Sequence, residues 1–502
     1  MGEAALDRRQ LLLTAHFLFF ASVVSFPLLP VRGPMLFHAL VVALVTSGSA
    51  LIAPPKWLAG SGLTFPQIVL RGTMHTSPSL LLLRMAATEA AAAAEASTQK
   101  LNPRDERRRI MGSKNYNRMG FKDEQADVAE TMVAEFTSPL VAELRANGGK
   151  ITRGDVTIKL AEFYGFCWGV ERAIAMAYQA RSHFPDKTIH ITNEIIHNPQ
   201  VNERLFEMDI KLLDGEKGKK DYGAVDDGDV VILPAFGATI QEMQFLDQKG
   251  VTIVDTTCPW VSKVWNAVDN HRKAGQTSVI HGKYSHEETV ATASFCDDYI
   301  IVKDMEEAEY VANYIVHGGD AAAFMKKFEK AVSKGFDPEK HLKKVGLANQ
   351  TTMYKRETKE IGRILEVAML KKHGPEKLGE HYAEFDTICD ATQERQDAVT
   401  QMVEEKEKLD FILVVGGFDS SNTAHLKEIP EKFGVESYHI DRAERINADN
   451  SIHHRLTDGT YETANGFLKK GPVTIGVTSG ASTPDKYMED AIERIFMIHK
   501  LL

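Results

Sequence analysis

From Asp155 onward the chain repeats one pattern: a short apolar run, a polar loop, then an amphipathic stretch. Such runs stand at Asp155–Ala161, Lys187–Thr192, Asp229–Leu233, Thr252–Val254, Ser278–His281, Tyr299–Val302, Lys344–Ala348, Phe411–Val415, Ser437–Ile440 and Val473–Val477. Strands that alternate with helices pair in parallel, because each crossover returns the chain to the same edge of the sheet. The expected fold is therefore α/β with parallel sheets, and its functional loops belong at the strands' carboxyl ends. No strand is expected before Asp155. The stretch from Lys100 to Gly149 is charged and weakly patterned, with helix expected within Asp123–Ala146.

Three cysteines sit where a strand-like run gives way to a helix: Cys167 in F-C-W-G-V-E-R-A, Cys258 in D-T-T-C-P-W-V-S-K-V and Cys389 in T-I-C-D-A-T-Q-E-R-Q. A thiol at a helix N-terminus feels the positive end of the helix dipole, which favours the metal-binding thiolate. Three such thiols from separate segments point to one soft metal centre, with an iron–sulfur cluster the leading candidate. A lone cysteine is ordinarily a buried, reduced thiol, but that reading does not explain three equivalent settings. Cys296, in A-S-F-C-D-D-Y, follows no such turn and is expected to be structural. The cysteine loops mark three similar units, 154–261, 262–387 and 388–502, preceded by an N-terminal extension, 101–153. Residues 319–344 read as a surface insertion in the middle unit, their charge run a solvated helix face.

Other loops at equivalent positions are rich in hydrogen-bonding groups. E-I-I-H-N-P-Q carries His197, and H-G-K-Y-S-H-E-E-T carries His281, His286, Glu287 and Glu288. A-N-Q-T-T carries Asn349, Gln350, Thr351 and Thr352; F-D-S-S-N-T carries Ser420, Ser421 and Asn422; V-T-S-G-A-S-T-P carries Ser479 and Ser482. Hydroxyls and amides at helix N-termini bind phosphate, although the same residues are also common N-caps. Protonated imidazoles would add charge. No G-x-x-x-x-G-K-[ST] run occurs, so an ordinary nucleotide P-loop is excluded. Together the loops point to an anionic substrate at a metal centre.

The net charge of −10 and the lack of a basic tract with interleaved aromatics argue against nucleic-acid binding. Four cysteines form no secreted disulfide framework, so a reducing compartment is expected. Residues 1–100 differ from the rest. No acidic residue lies between Asp7 and Glu89, and two apolar stretches, Leu11–Leu29 and Met35–Ala53, precede basic, hydroxyl-bearing sequence. A signal peptide followed by a transit peptide fits this pattern; membrane anchors fit it less well, because the apolar runs are barely long enough and prolines interrupt them. The expectation is a bipartite leader, 1–100, directing the mature chain to the stroma of a complex plastid, with no stable membrane insertion afterwards.

The motifs F-C-W-G-V-E-R-A, E-I-I-H-N-P-Q-V-N, V-D-T-T-C-P-W-V-S-K-V, S-H-E-E-T, N-Q-T-T, T-I-C-D-A-T-x-x-R-Q, S-S-N-T and T-S-G-A-S-T-P-D resemble the 4-hydroxy-3-methylbut-2-enyl diphosphate reductase family, in its plastid and cyanobacterial form. The resemblance runs from about Lys159 to Asp485. It implies three pseudo-symmetric α/β units in a trefoil around one 4Fe–4S cluster, with Cys167, Cys258 and Cys389 as ligands and one iron left open. It also implies that His197, His286, Ser420, Ser421, Asn422 and Ser482 hold the diphosphate of an allylic substrate, with Thr351 beside them. Glu288 would supply protons, assisted by Thr351, and ferredoxin would supply electrons. A homodimer is compatible with the resemblance. Phe236, in L-P-A-F-G-A, stands where many bacterial members carry a second diphosphate-binding histidine. A cluster-bearing hydro-lyase, or a non-catalytic zinc or redox-sensing protein, remains an alternative from the residues alone.

Overall fold

A computed structural model describes residues 102–213, 220–405 and 408–502. The leader expected at 1–100 lies outside them. Among the described residues, no helix is long and apolar enough to cross a membrane.

The strands form three sheets of five, four and seven strands. The first runs Tyr116–Asn117, Thr252–Asp255, Val230–Leu233, Ile189–Ile191, Ile210–Leu212, every neighbour parallel. The second runs Tyr382–Glu384, Val345–Asn349, Thr277–His281, Tyr299–Val302, also wholly parallel. The third has a parallel centre of Ser437–Ile440, Phe411–Val415, Val473–Ser479 and Val156–Leu160. Antiparallel strands flank that centre, Lys150–Arg153 on one edge and the hairpin Ser451–Arg455/Tyr461–Asn465 on the other. Central strands such as Phe411–Val415 and Val230–Leu233 are buried along their whole length, which is why they read as continuous apolar runs.

Several expectations are corrected. Strands do precede Asp155: Tyr116–Asn117 joins the first sheet and Lys150–Arg153 the third. Helix does fall within Asp123–Ala146 as expected, in two pieces, Gln125–Phe136 and Pro139–Ala146. Ser138 caps the second and Pro139 opens it, a pairing that starts a helix and ends the one before. The segment 319–344 is more than a surface addition. Its helices Ala321–Lys327 and Pro338–His341 leave the lysines outside while Phe324, Phe328, Phe336 and Leu342 enter the core of the second sheet. Val156–Leu160, which opens the first sequence-defined unit, pairs with Val473–Val477 in the third sheet.

Candidate active site

Each cysteine is the N-cap of a helix: Cys167 of Trp168–His183, Cys258 of Pro259–Lys273 and Cys389 of Asp390–Glu404. All three have extended backbone, and none makes a side-chain capping hydrogen bond, so the thiols are left free. Each sheet contributes one cysteine, from the carboxyl end of Thr252–Asp255, Tyr382–Glu384 and Val156–Leu160 respectively. Their backbone N–H groups donate to the loop beside them: Cys167 to Ala481 O, Cys258 to Ala235 O and Cys389 to Thr351 O, at 3.0–3.3 Å. Helix start and thiol position are therefore fixed by the same turn.

The three thiols line one cavity together with His197, Phe236, His286, Glu288, Thr351, Ser420, Ser421, Asn422 and Ser482. Every residue that the family resemblance assigns to the site is thus in one place. Of the other loop residues singled out, Thr352 also lines the cavity, but Glu287, Asn349, Gln350, His281 and Ser479 do not: His281 is wholly buried on Thr358 Oγ1 (2.8 Å), and Ser479 Oγ accepts from Gly165 N–H (2.8 Å). Close approach between loops requires glycine at two points. A Cβ on Gly169 would meet Cys258 Sγ at 2.6 Å, and one on Gly417 would meet His197 O at 2.1 Å.

The helix dipole does not decide the protonation of Cys258 and Cys389. Burial pushes Cys258 up to about 11 and Cys389 up to about 12, and repulsion from Cys167 adds to it. The N–H groups of Trp260 and Val261, and of Thr392 and Ala391, pull the other way and lose. The expected thiolates therefore need a cation among them, and metal binding would release protons. The spacing also bears on what that cation is. Among the described residues, His197, His286 and Glu287 alone place three such ligand atoms within 4.8 Å of one another, so the thiols are spread more widely. Thiolates on a single zinc, with bonds near 2.3 Å, would stand about 3.8 Å apart. Donor type and spacing fit a polynuclear, thiolate-bound centre.

At the other end of the cavity the hydrogen bonds favour an anion. Glu288 N–H donates to His286 Nδ1 (3.2 Å), so the neutral ring carries its proton on Nε2. Burial first, then His197 and Lys283, hold His286 down to about 3, which keeps it neutral. Its Nε2–H faces His197 Nε2 at 3.3 Å, while His197 Nδ1 meets Glu194 Oε2 at 3.2 Å. A metal ion in the His197–His286–Glu287 cluster would need the lone pair that this tautomer has protonated, so the hydrogen bond from Glu288 N–H favours an anion there over a cation. Phe236 stacks on His197 with ring centroids 4.3 Å apart. Ser420 caps Ser421–Lys432 through Thr423 N–H (3.3 Å). Asn422 Oδ1 takes Ala481 N–H (2.9 Å), leaving its buried Nδ2 without a partner at the cavity. Ser482 Oγ donates to His197 O (3.3 Å), and Asn198 Nδ2 to Ser482 O (2.8 Å).

Glu288 lies between the two ends, 1% exposed. Thr351 donates to both its oxygens, from N–H to Oε1 (2.6 Å) and from Oγ1 to Oε2 (2.9 Å). Burial outweighs these bonds and pushes the carboxyl up to about 7, so it can hold a proton near neutral pH.

The sequence profile of the family described as LytB protein matches residues 158–496. This chain belongs to the LytB family. A relative from Nostoc sp. (strain PCC 7120) is 56% identical over 392 residues, 78% of this chain and 97% of its own length. Another, from Synechococcus sp. (strain ATCC 27144), is 55% identical over 394 residues, covering 78% and 98%. Both bear the name 4-hydroxy-3-methylbut-2-enyl diphosphate reductase. The solved E-1-hydroxy-2-methyl-but-2-enyl-4-diphosphate reductase of Plasmodium falciparum shares the fold, with a TM-score of 0.50 at 22% identity, over 68% of this chain and 88% of that one.

Two features of this LytB-family site escaped the sequence. Arg395, 4% exposed, binds the loops of two cysteines, and nothing marks it beyond its place in the motif after Cys389. Tyr116, on a two-residue strand, hydrogen-bonds buried Asp255 just before Cys258, with Arg118 and Arg107 at 3.8 and 3.9 Å. Asp255 Oδ1 in turn accepts Thr257 N–H (3.0 Å). So short a strand leaves no alternation to read.

Proposed function

We propose that this chain is an iron–sulfur reductase that removes the hydroxyl of (E)-4-hydroxy-3-methylbut-2-enyl diphosphate, yielding isopentenyl and dimethylallyl diphosphate at the end of the non-mevalonate route. The observation that carries the reading is one cavity lined by three uncapped thiols, by anion-binding groups and by a protonatable carboxyl that acts on Cys258 and is acted on by His197. Membership of the LytB family and the printed names of its cyanobacterial members support it.

Cys167, Cys258 and Cys389 would hold a 4Fe–4S cluster, leaving one iron without a protein ligand. Such a cluster, when bound, supplies electrons one at a time and an open Lewis-acidic site. The chain's residues do the rest. His286 Nε2–H, the Ser421 hydroxyl and the unpartnered Asn422 Nδ2 donate to the diphosphate, with Ser420 and Ser482 beside them. His197 stands beside them, oriented by Glu194 on Nδ1. Glu288 delivers a proton towards the departing hydroxyl, and Thr351 keeps both carboxyl oxygens in place. A negative diphosphate nearby would favour the protonated carboxyl further.

Residues 1–100 would be a bipartite leader to the stroma of a complex plastid, where ferredoxin would be the donor. The Nostoc alignment spans nearly all of that relative but leaves about a fifth of this chain outside, which supports an added segment. The test is anaerobic purification, iron and sulfide analysis, and an assay with a low-potential one-electron donor. Brown protein that reduces the allylic diphosphate is the expected result. Colourless zinc protein, or a cluster protein that hydrates without consuming electrons, would defeat the reading.

A further inference from the structure

Arg395 lies on the helix that Cys389 caps, and its guanidinium is enclosed in the protein. A guanidinium stays charged in any protein environment. Its hydrogen bonds go only to carbonyls: Ala391 O at 2.8 Å, Gly165 O at 2.7 Å and Tyr164 O at 3.2 Å. Ala391 is two residues after Cys389 and Gly165 two before Cys167, so one side chain joins two thiol loops that belong to different sheets. Nε is buried without a partner. Among the described residues, no carboxylate lies within ion-pair distance of this guanidinium, and adjacent Glu394 points to solvent. A buried charge without a counter-charge is costly, typically several kcal/mol. The acidic groups that act on it are the Cys167 and Cys389 thiols, ahead of Glu394.

We infer that Arg395 is the built-in counter-ion of the thiolate-bound centre, joining the Cys167 and Cys389 loops and offsetting the negative charge that collects there. The inference rests on the iron–sulfur reading of the site. Loading the centre gathers negative charge at the two loops this cation joins, so it favours the loaded state. One more electron makes the centre more negative, so the cation also favours the reduced form; net charge is among the levers that set such potentials. Arg395 is thus a positioning residue with an electrostatic role.

The experiment compares R395M and R395K with the unsubstituted full-length protein, both metal-free and cluster-loaded under anaerobic conditions. Redox titration followed in the visible should show R395M about tenfold harder to reduce by one electron, a 59 mV lower midpoint. R395K should remain within about threefold of the parent. Thermal unfolding should show R395M losing more stability in the loaded protein than in the metal-free one. A carbonyl clamp without electrostatic role would weaken both forms alike and leave the midpoint unmoved, and that result overturns the inference. If R395M folds but takes up no cluster, loading restored by R395K supports the counter-ion, and failure of both variants to load shows that fork geometry matters instead of charge. An unsubstituted protein without iron and sulfide brings down the functional reading itself, whereas an unmoved midpoint in loaded R395M brings down this inference alone.

Discussion

The two ends of the cavity are built from one device used in opposite ways. At the thiol end, Cys167, Cys258 and Cys389 are N-caps that make no capping hydrogen bond. At the anion end, His286 and Ser420 are N-caps whose side chains do bond the first turn of their helices, at Glu288 and Thr423. A capping bond fixes a side chain's orientation and uses one of its acceptors. It commits His286 to being a donor through Nε2, which suits an anion. Leaving the bond unmade keeps a thiol's lone pairs available, which suits a metal, and exposes the thiols to the full effect of burial. One end is therefore set before its ligand arrives, and the other becomes charged only with it.

The sharpest test of this contrast is at the thiol end. Cys389→Ser should abolish the intact cluster and all activity, while Cys296→Ala should leave iron, sulfide and turnover nearly unchanged. Cys296 is half-buried, pushed up to about 12 by desolvation and bonded to Thr292 O, beyond the C-terminal end of Glu287–Ala293 and not at a helix start. Equal iron loss in the two variants would erase the distinction between capping and other cysteines.

Between the ends, Glu288→Gln should keep the cluster and bind substrate yet lose about 100- to 10,000-fold in turnover, the usual range for general acid catalysis. The sign of the pH dependence follows from the raised carboxyl. Glu288 donates only while protonated, so turnover should fall as pH rises through about 7, and the residual rate of Glu288→Gln should lack that limb. A parent profile that rises across the same range would mean another group carries the proton.

A smaller effect is expected at the anion end. Ser421→Ala removes a neutral hydroxyl, worth about 0.5–1.5 kcal/mol, so KM should rise roughly two- to tenfold with little change in kcat. A change confined to kcat would place Ser421 in the chemistry instead. The smallest effect concerns sequence outside both ends: removing residues 1–100 should leave a soluble, cluster-binding protein with parental turnover. Extending the deletion through Tyr116 should destabilise the fold by about 1–3 kcal/mol or more, because buried Asp255 loses Tyr116 and Arg107. Denaturation curves of the two truncated proteins make the comparison.

Much of this arrangement was legible in the sequence, for reasons that individual segments make plain. Strands buried on both faces, such as Phe411–Val415 and Val230–Leu233, leave unbroken apolar runs that announce themselves. Edge strands do not. Tyr382–Glu384 and Ile210–Leu212 are too short to alternate, and Ser451–Arg455 is rich in His and Arg because its hairpin flanks the sheet. The site residues were legible because turn chemistry is local: a polar residue or cysteine between strand and helix must sit at a carboxyl edge. Protonation was not legible, since burial, a property of the whole fold, overrides the local dipole at Cys258 and Cys389. Arg395 was unreadable for a related reason, because two of its three carbonyl partners belong to a loop distant in sequence.

The pairing of Val156–Leu160 with Val473–Val477 also sets an order of events during synthesis. The strand that carries Cys167 to the cavity has no parallel neighbour until the last strand of the chain has left the ribosome. Bringing such distant segments together costs loop-closure entropy that only the completed sheet returns. A nascent chain can therefore finish its second sheet, with Cys389 at its edge, while Cys167 is still unplaced. Iron delivered at that stage would find an incomplete set of thiols. On the proposed reading, maturation would be a step for the finished polypeptide, and a chain cut short before Val473 would not be rescued by supplying more iron and sulfide.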